Sequence, residues 1–466
     1  MTRHRPLAFV LVFLGVLAAA PQGVAAAEPN DSANAKRAPS PELIRMAREV
    51  SPDRIERSVR KLASFGTRHT LSSQTDPERG IGAARDWLLS EFQRSAATAN
   101  GRMTVELQSY VQAPAPRVPQ PTTITNVVAT LHGSQAESAD RVYVVSGHYD
   151  SRCSDPLDAV CDAPGANDDA SGVAAVLELA RVMATREFDA TIVFMAVAGE
   201  EQGLFGSTHF AELARASGTN IDGMFTNDII GSSVGQNGRR EPFTVRLFAE
   251  GIPSDETPDE AELRDVLGGE NDSQSRQLAR YVKEVGQNRA TGMRVRMIYR
   301  RDRFLRGGDH LPFLERRYPA ARFTEVNEDY RHQHQDVRVE DGVQYGDLVR
   351  FVDFRYIARV ARVNLAALTG LSRAPERPRD VVLDARELST DTTLQWSANT
   401  EPDLAGYEIV WRDTTSSVWT HSRFVGNVTS YTVRRITKDD FHFGVRAVDR
   451  DGNRSPVRFP GGVLEE

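Results

Sequence analysis

His148, in Gly147-His148-Tyr149-Asp150, opens a series of five short segments that each carry one metal-ligating side chain. Asp168 stands in Gly165-Ala166-Asn167-Asp168-Asp169-Ala170-Ser171-Gly172, Glu201 in Gly199-Glu200-Glu201, Asp228 in Thr226-Asn227-Asp228, and His332 in the run from Arg331 to Asp336. Two imidazoles and three carboxylates form the nitrogen–oxygen set that zinc takes, with cobalt or manganese as substitutes. Glu200 is left over beside a ligand, and a spare carboxylate is what a hydrolase needs to move a proton. The set divides between two ions. One takes His148, Asp168 and Asp228; the other takes Asp168, Glu201 and His332, with Asp168 as the bridge. Two dications about 3.5–4 Å apart repel one another, so a bridging carboxylate and further anions are required. Asp150, just beyond His148, is placed to accept the far imidazole N–H and fix the ring. Each residue alone has a plainer reading: a chance His, a solvated Glu pair, a helix cap. The case rests on the set.

The elements that position these residues follow from pattern. Thr122 to Leu131 and Arg141 to Ser146 read as strands, the second running into Gly147-His148. Thr191 to Ala198 is an apolar run ending at Gly199-Glu200-Glu201, which predicts a buried central strand. A short strand ends near Asn227-Asp228, and Ala321 to Val326 and Arg294 to Tyr299 are extended. Helices are predicted over Pro41 to Phe65, Gly80 to Phe92, Gly172 to Ala184 with Ser171 as cap, Ser207 to Ala216, Gln277 to Val285 and Tyr345 to Leu368. Gly231 to Ser275 reads as a polar excursion near the site. Strands alternating with helices predict an α/β three-layer sandwich with a mostly parallel mixed sheet flanked by helices. His148, Glu200, Glu201 and Asp228 each follow a predicted strand, where ligands bind in such sheets. Adjacent glutamates in an extended segment point opposite ways, so using both needs a bend, which Gly199 permits.

At 466 residues and net charge −7, the chain fits a catalytic domain plus an accessory one and is a poor nucleic-acid binder. Arg3 and Arg5, the apolar run Leu7 to Ala20 and Ala25-Ala26-Ala27 predict a signal peptide over residues 1–27. The run is short for a membrane span, so the mature protein is expected to be secreted or periplasmic. Residues 28–40 read as a flexible lead-in and 41–370 as the catalytic domain. Cys153 and Cys161, the only cysteines, lie between the first two metal segments and are expected to pair in an oxidising compartment. Residues 371–378 form a linker with two prolines, Pro375 and Pro378. Beyond it, residues 379–466 change to short strands with Trp396, Tyr407 and Phe443 as anchors, which predicts a small all-β sandwich. Leu394-Gln395-Trp396, Gly406-Tyr407-Glu408-Ile409 and Val445-Arg446-Ala447-Val448-Asp449 resemble a fibronectin type III domain.

From about Ser58 to Leu368 the chain resembles exported zinc aminopeptidases of the bacterial leucyl aminopeptidase type, relatives of the co-catalytic zinc carboxypeptidases and glutamate carboxypeptidase. The segments that carry the resemblance are Gly-His-Tyr-Asp at 147–150, Asn-Asp-Asp-Ala-Ser-Gly at 167–172, Gly-Glu-Glu-Gln-Gly-Leu at 199–204, Asp228, and Asp-His at 309–310. It implies a zinc-peptidase fold and two zinc ions bridged by Asp168. It implies Glu200 as base toward an attacking water, a cis peptide between Asp168 and Asp169, and peptide substrates with free N-termini. The family's last ligand sits in a His-Thr-x-x-Asp pattern, and here spacing to Asp336 favours His332 over His334. Where many relatives carry an oxyanion-stabilising tyrosine this chain has Leu305, so Arg300, Arg301, Arg303, Arg306 or His310 is expected to take that role. Arg68-His69 is expected to hold the first helix near the site. Within the superfamily, a carboxypeptidase or a single-metal glutaminyl cyclotransferase shares the framework. From a different class, an inactive peptidase-like adhesion protein would use the C-terminal sandwich to contact a cell surface or substrate.

Overall fold

Arg141–His148 and Thr191–Val197 are so rich in Val, Ile, Phe and Ala that every residue of both is buried. The computed structural model describes residues 38–386 and 389–463, the last two by backbone only. It makes these segments the third and fourth strands of a mixed eight-stranded sheet. The strands are β1 (Met103–Gln112), β2 (Thr122–Leu131), β3 (Arg141–His148), β4 (Thr191–Val197), β5 (Asn220–Asn227), β6 (Thr244–Phe248), β7 (Arg294–Ile298) and β8 (Ala320–Thr324). Their order is β1-β2-β4-β3-β5-β8-β6-β7. The central block β4-β3-β5-β8 is parallel, as is the β6–β7 pair; β1, β2 and the β8–β6 pairing are antiparallel. The signal-peptide reading and residues 28–37 of the lead-in lie outside the described residues. No described helix is long and apolar enough to cross a membrane.

Side chains alternate across β3 and β4, as the strand repeat requires. Tyr143, Val145, Ile192, Phe194 and Ala196 enter one core; Val142, Val144, Val193, Met195 and Val197 enter the other. The helices are α1 (Pro41–Glu49), α2 (Pro52–Ala63), α3 (Ile81–Ala96), α4 (Ala170–Met183), α5 (Glu200–Gly203), α6 (Phe205–Ser217), α7 (Pro258–Leu267), α8 (Gln274–Gly286), α9 (Leu311–Leu314) and α10 (Phe354–Arg373). The first face is covered by α1–α4, α8 and α10, the second by α6 and α9. The molecule is therefore the three-layer α/β sandwich that the pattern predicts.

Local chemistry explains the departures. The helix expected over Pro41 to Phe65 is two helices, because Ser51 caps α2 by accepting from the Arg54 amide and Pro52 occupies its first turn. The cap of α4 is Asp169, which accepts from the Gly172 amide at 3.0 Å; the Ser171 hydroxyl turns back to the Asn167 carbonyl. The expected Tyr345 start gives way to a ribbon of β9 (Arg338–Glu340) and β10 (Val343–Tyr345), and Asp353 caps α10. The excursion at 231–275 holds β6 and α7, the latter with a Thr257–Glu260 capping box.

Past α10 come β11 (Arg379–Asp384), β12 (Thr392–Ser397), β13 (Leu404–Asp413), β14 (His421–Gly426), β15 (Ser430–Val433), β16 (Phe441–Asp449) and β17 (Gly461–Val463). They form a four-stranded sheet, β15-β12-β11-β17, and a three-stranded sheet, β14-β13-β16. Leu394 and Trp396 from one sheet and Tyr407, Ile409, Trp411, Phe443 and Val445 from the other share a core. Buried polar pairs fasten this region to α8 and the turn before it: Arg412 with Asp272 at 2.6 Å, and the Trp419 indole N–H with Gln277 at 3.0 Å.

Candidate metal centre

The four parallel central strands release their chains at one edge, and the predicted segments gather there. β3 ends on His148; β4 is followed by Glu200 and Glu201; β5 runs into Asp228; the loop after β8 brings a second imidazole. Gly199 takes a left-handed conformation, φ +75°, and turns the chain from β4 into the single helical turn α5. That bend lets both glutamates face the site, as anticipated, and a side chain at 199 would be strained.

Two clusters result. His148, Glu200 and Asp228 offer ligand atoms within 4.8 Å of one another, and Asp168, Glu201 and His334 do the same. Asp168 joins them. Its Oδ1 lies 3.2 Å from His148 Nε2 and its Oδ2 3.1 Å from His334 Nε2, which also stands 3.1 Å from Glu201 Oε2. One carboxylate with an oxygen toward each imidazole is the geometry of a bridge.

The second imidazole is His334, and the expectation of His332 is corrected. His332 stacks on Phe351 with ring centroids 3.8 Å apart, and its Nε2 lies 3.9 Å from Asp329. His334 has a left-handed backbone, φ +51°, which breaks the even progression on which the spacing argument rests. Asp336, the residue used to set the spacing, is engaged elsewhere: its amide donates to the Ser154 hydroxyl and its Oδ1 accepts from the Ser154 amide, both at 3.1 Å. This ties the His334 loop to the loop closed by the Cys153–Cys161 disulfide, the pairing expected from sequence.

Asp150 does more than sequence suggests. Its Oδ1 lies 3.5 Å from His148 Nδ1, and its backbone carbonyl 3.2 Å from the same nitrogen. Its carboxylate also accepts from the Glu201 amide at 3.0 Å and the Glu200 amide at 3.3 Å. One buried acid thus orients an imidazole and the turn that bears both glutamates. The peptide between Asp168 and Asp169 is cis, as the resemblance implies. Asp169 clasps the site from behind, accepting from the amides of His148, Gly172 and Ile229.

Other residues escaped the sequence reading. Asp347 accepts from the Asn167 and Asp168 amides at 2.8 and 2.7 Å and so seats the bridging residue. Arg322 Nη2 lies 2.8 Å from Asp228 Oδ1, and Arg152 Nε lies 3.0 Å from Glu201 Oε2 with Nη2 2.8 Å from His334 Nδ1. An arginine inside the apolar strand Ala320–Thr324 is a legible signal, since a buried guanidinium demands an acid. Asp347, in an ordinary polar loop, carries none. The basic run behaves differently from the expectation: Arg303 and Arg306 pair with Glu328, Arg301 with Glu315, and Leu305 is exposed. His310 is buried, its Nε2 2.9 Å from the Arg301 carbonyl. Arg68 is structural, as expected, donating to the carbonyls of Leu62, Tyr149, Pro164 and Gly165.

The electrostatics show a surplus of acid. Burial, reinforced by Asp228, Glu201 and Asp309, pushes the Glu200 carboxyl well above its ordinary range against the pull of His148. Burial pushes Asp309 and Asp347 up to about 7. Desolvation opposes charge on both imidazoles, yet the neighbouring carboxylates win: His334 rises to about 10 and His148 well above its ordinary value. Among the described residues, both Asp309 carboxylate oxygens and Glu201 Oε1 are buried without a hydrogen-bond partner. Unmatched buried anions beside two imidazoles are the donor set a pair of divalent cations satisfies.

Carboxylate–imidazole clusters beyond the ends of parallel strands define an α/β protein with a metallohydrolase-type centre. The family model of peptidase family M28 matches residues 126–342. A probable zinc metalloprotease of Pyrenophora tritici-repentis is 53% identical over 91% of this chain and 87% of its own length. The chain belongs to peptidase family M28. Among solved structures, the fold matches the LapA aminopeptidase of Legionella pneumophila with TM-score 0.50 and 20% identity, over 71% of this chain and 75% of that one. A glutaminyl cyclase of Macrostomum lignano matches equally, with TM-score 0.50 and 16% identity, over 72% and 94%.

Proposed function

We propose that the protein is a zinc-dependent aminopeptidase that holds two ions and releases N-terminal residues from peptides. The observation that supports this most is the bridging placement of Asp168 between two acid–imidazole clusters, with Glu200 beside His148 and Asp228 in the first. His148, Asp168 and Asp228 would hold one ion and Asp168, Glu201 and His334 the other. Bound there, the ions supply Lewis acidity toward a substrate carbonyl and a nucleophilic water at neutral pH. Glu200 takes the proton of the attacking water and hands it to the leaving amine. Asp150 keeps His148 and the Glu200–Gly203 turn in register for that transfer. The sequence supports export after cleavage near Ala27, with the Cys153–Cys161 disulfide consistent with an oxidising compartment. The fibronectin-like C-terminal region is read as a platform for substrate or surface contact.

The test is hydrolysis of an amino-acid anilide panel, an N-blocked peptide and a Gln-initial peptide, before and after chelation and zinc restoration. Cleavage of free-amine anilides, silence toward the blocked peptide, and loss and return of activity with zinc are expected. Cyclisation of the Gln-initial peptide would instead identify a cyclotransferase. Cleavage of the blocked peptide from its far end would identify a carboxypeptidase. Absence of both metal and activity would favour the inactive adhesion protein.

A further inference from the structure

Among the described residues, three arginines touch a member of the two clusters, and two of them are committed to acids. Arg322 holds Asp228 and Asp302, and Arg152 holds Glu201 together with His334. Arg117 is different. Its Nη1 donates to the Glu201 backbone carbonyl at 2.8 Å, and the residue is exposed. Among the described residues no carboxylate pairs with it.

Register brings this arginine to the site. Val127 of β2 lies opposite Ala196 of β4, so Thr122 to Thr125 run on past Val197, the last residue of β4. The β1–β2 hairpin therefore overhangs the edge at which Glu200 and Glu201 emerge. Its connection, residues 113–121, carries Pro114, Pro116, Pro119 and Pro121, each with its φ fixed by the ring. Ala115 and Val118 exchange backbone hydrogen bonds at 2.7 and 2.9 Å, and Val118 is buried. A stiff, pinned turn thus presents Arg117. A guanidinium held by one neutral carbonyl keeps N–H donors for a carboxylate, which it takes in charge-assisted and often bidentate bonds. Glu201 anchors it through the backbone and offers its own carboxylate to the proposed second ion. The positive charge therefore stands within one or two residues of the scissile bond, since each residue of extended peptide spans about 3.3–3.6 Å.

We propose that Arg117 is a specificity-determining residue that binds a carboxylate of the substrate close to the scissile bond. An acidic side chain and the C-terminus of a short peptide present the same chemistry to it. The inference rests on the aminopeptidase reading and adds to it a preference among free-amine substrates.

The test is kcat/KM of the zinc-loaded full-length protein on three substrate pairs, the members of each differing by one carboxylate. Leucyl-alanine against its C-terminal amide isolates the chain terminus. Leucyl-glutamyl-alaninamide against leucyl-glutaminyl-alaninamide isolates a side chain after the scissile bond, and aspartate anilide against asparagine anilide isolates one before it. At least one pair is expected to favour its carboxylate member by about tenfold or more, the worth of one charge-assisted hydrogen bond, and that pair identifies the source. Arg117→Gln is expected to remove the preference and Arg117→Glu to invert it; if one variant fails to fold, the other carries the test. An arginine that only braced the Glu201 carbonyl would lower both members of a pair alike and leave their ratio unchanged. Equal rates within all three pairs in wild type, or a preference that survives in either folded variant, would overturn the inference while leaving the aminopeptidase in place. Silence toward every free-amine substrate would instead overturn the aminopeptidase reading, and the inference with it.

Discussion

At the seam beneath the C-terminal sheets, Asp272 is a buried acid with every need met. Arg280 lies 2.9 Å away, Arg412 2.6 Å, and the Gln277 amide donates at 2.8 Å. At the strand ends, Asp168, Asp169, Glu200, Glu201, Asp228 and Asp309 share two imidazoles and two arginines, and three of their oxygens are buried without a partner among the described residues. Both clusters are buried charge, yet they are built on opposite plans. At the seam the excess is of guanidinium, Arg280 and Arg412 on the one Asp272, and it serves docking, where removing the acid leaves both arginines stranded. Unmatched acid at the strand ends must hold protons, as the raised Glu200 and Asp309 carboxyls do, until a cation arrives to complete it. The sign of the imbalance, more than the number of acids, separates a site from a fastening.

Glu200 carries the largest expected effect. Glu200→Gln is expected to lower kcat by about 10²–10⁴-fold while both ions are retained, read by anilide kinetics and metal analysis on one preparation. Near-wild-type turnover, after checks for contaminating peptidase, would remove the proposed base. His334→Ala should lose one ion and most activity, whereas His332→Ala should keep both, since His332 only stacks on Phe351. A reversal of that pair would restore His332 as the ligand.

A smaller effect belongs to the seam. Asp272→Leu, which strands the buried Arg280 and Arg412, is expected to cost about 3–5 kcal/mol of stability, measured by denaturant unfolding, with kcat of the surviving folded enzyme unchanged. A kcat that fell in proportion would mean the seam is coupled to the chemistry.

The smallest expected effect is the pH response of the chelated protein. His334 is raised from 6.5 to about 10 by Glu201 and Asp168, so its contribution is full below about pH 6.5 and is lost as pH rises toward 10. Asp309 and Asp347, raised from 3.8 to about 7 by burial, favour the protonated form in the fold and act with the same sign, costing stability as pH climbs through 7. The Tm of chelated protein should therefore fall from pH 6 to pH 10, and added zinc should flatten the curve. A Tm that rose with pH without metal would contradict the surplus of acid.

Much of this was legible in the residues. The apolar runs into His148 and Glu200 announced buried parallel strands, and the α/β order then placed four site residues at one edge. Gly199 announced the bend that both glutamates need. What stayed hidden was set by tertiary geometry. The left-handed turn at His334 has no fixed sequence mark, so spacing to Asp336 pointed to the wrong imidazole. Asp347 reaches the Asp168 amide from a remote loop that looks like any other. Arg322 was visible as a charge inside an apolar strand, but only the fold shows that its partner is Asp228. β6 and α7 hid in a stretch whose polar composition resembled a loop.

The most direct test of the account is an anomalous-scattering crystal structure of the zinc-loaded protein. Two zinc peaks flanking Asp168 are predicted, one reached by His148 and Asp228, the other by Glu201 and His334. Full occupancy by a single ion, or zinc bound by His332 with His334 turned away, would contradict it.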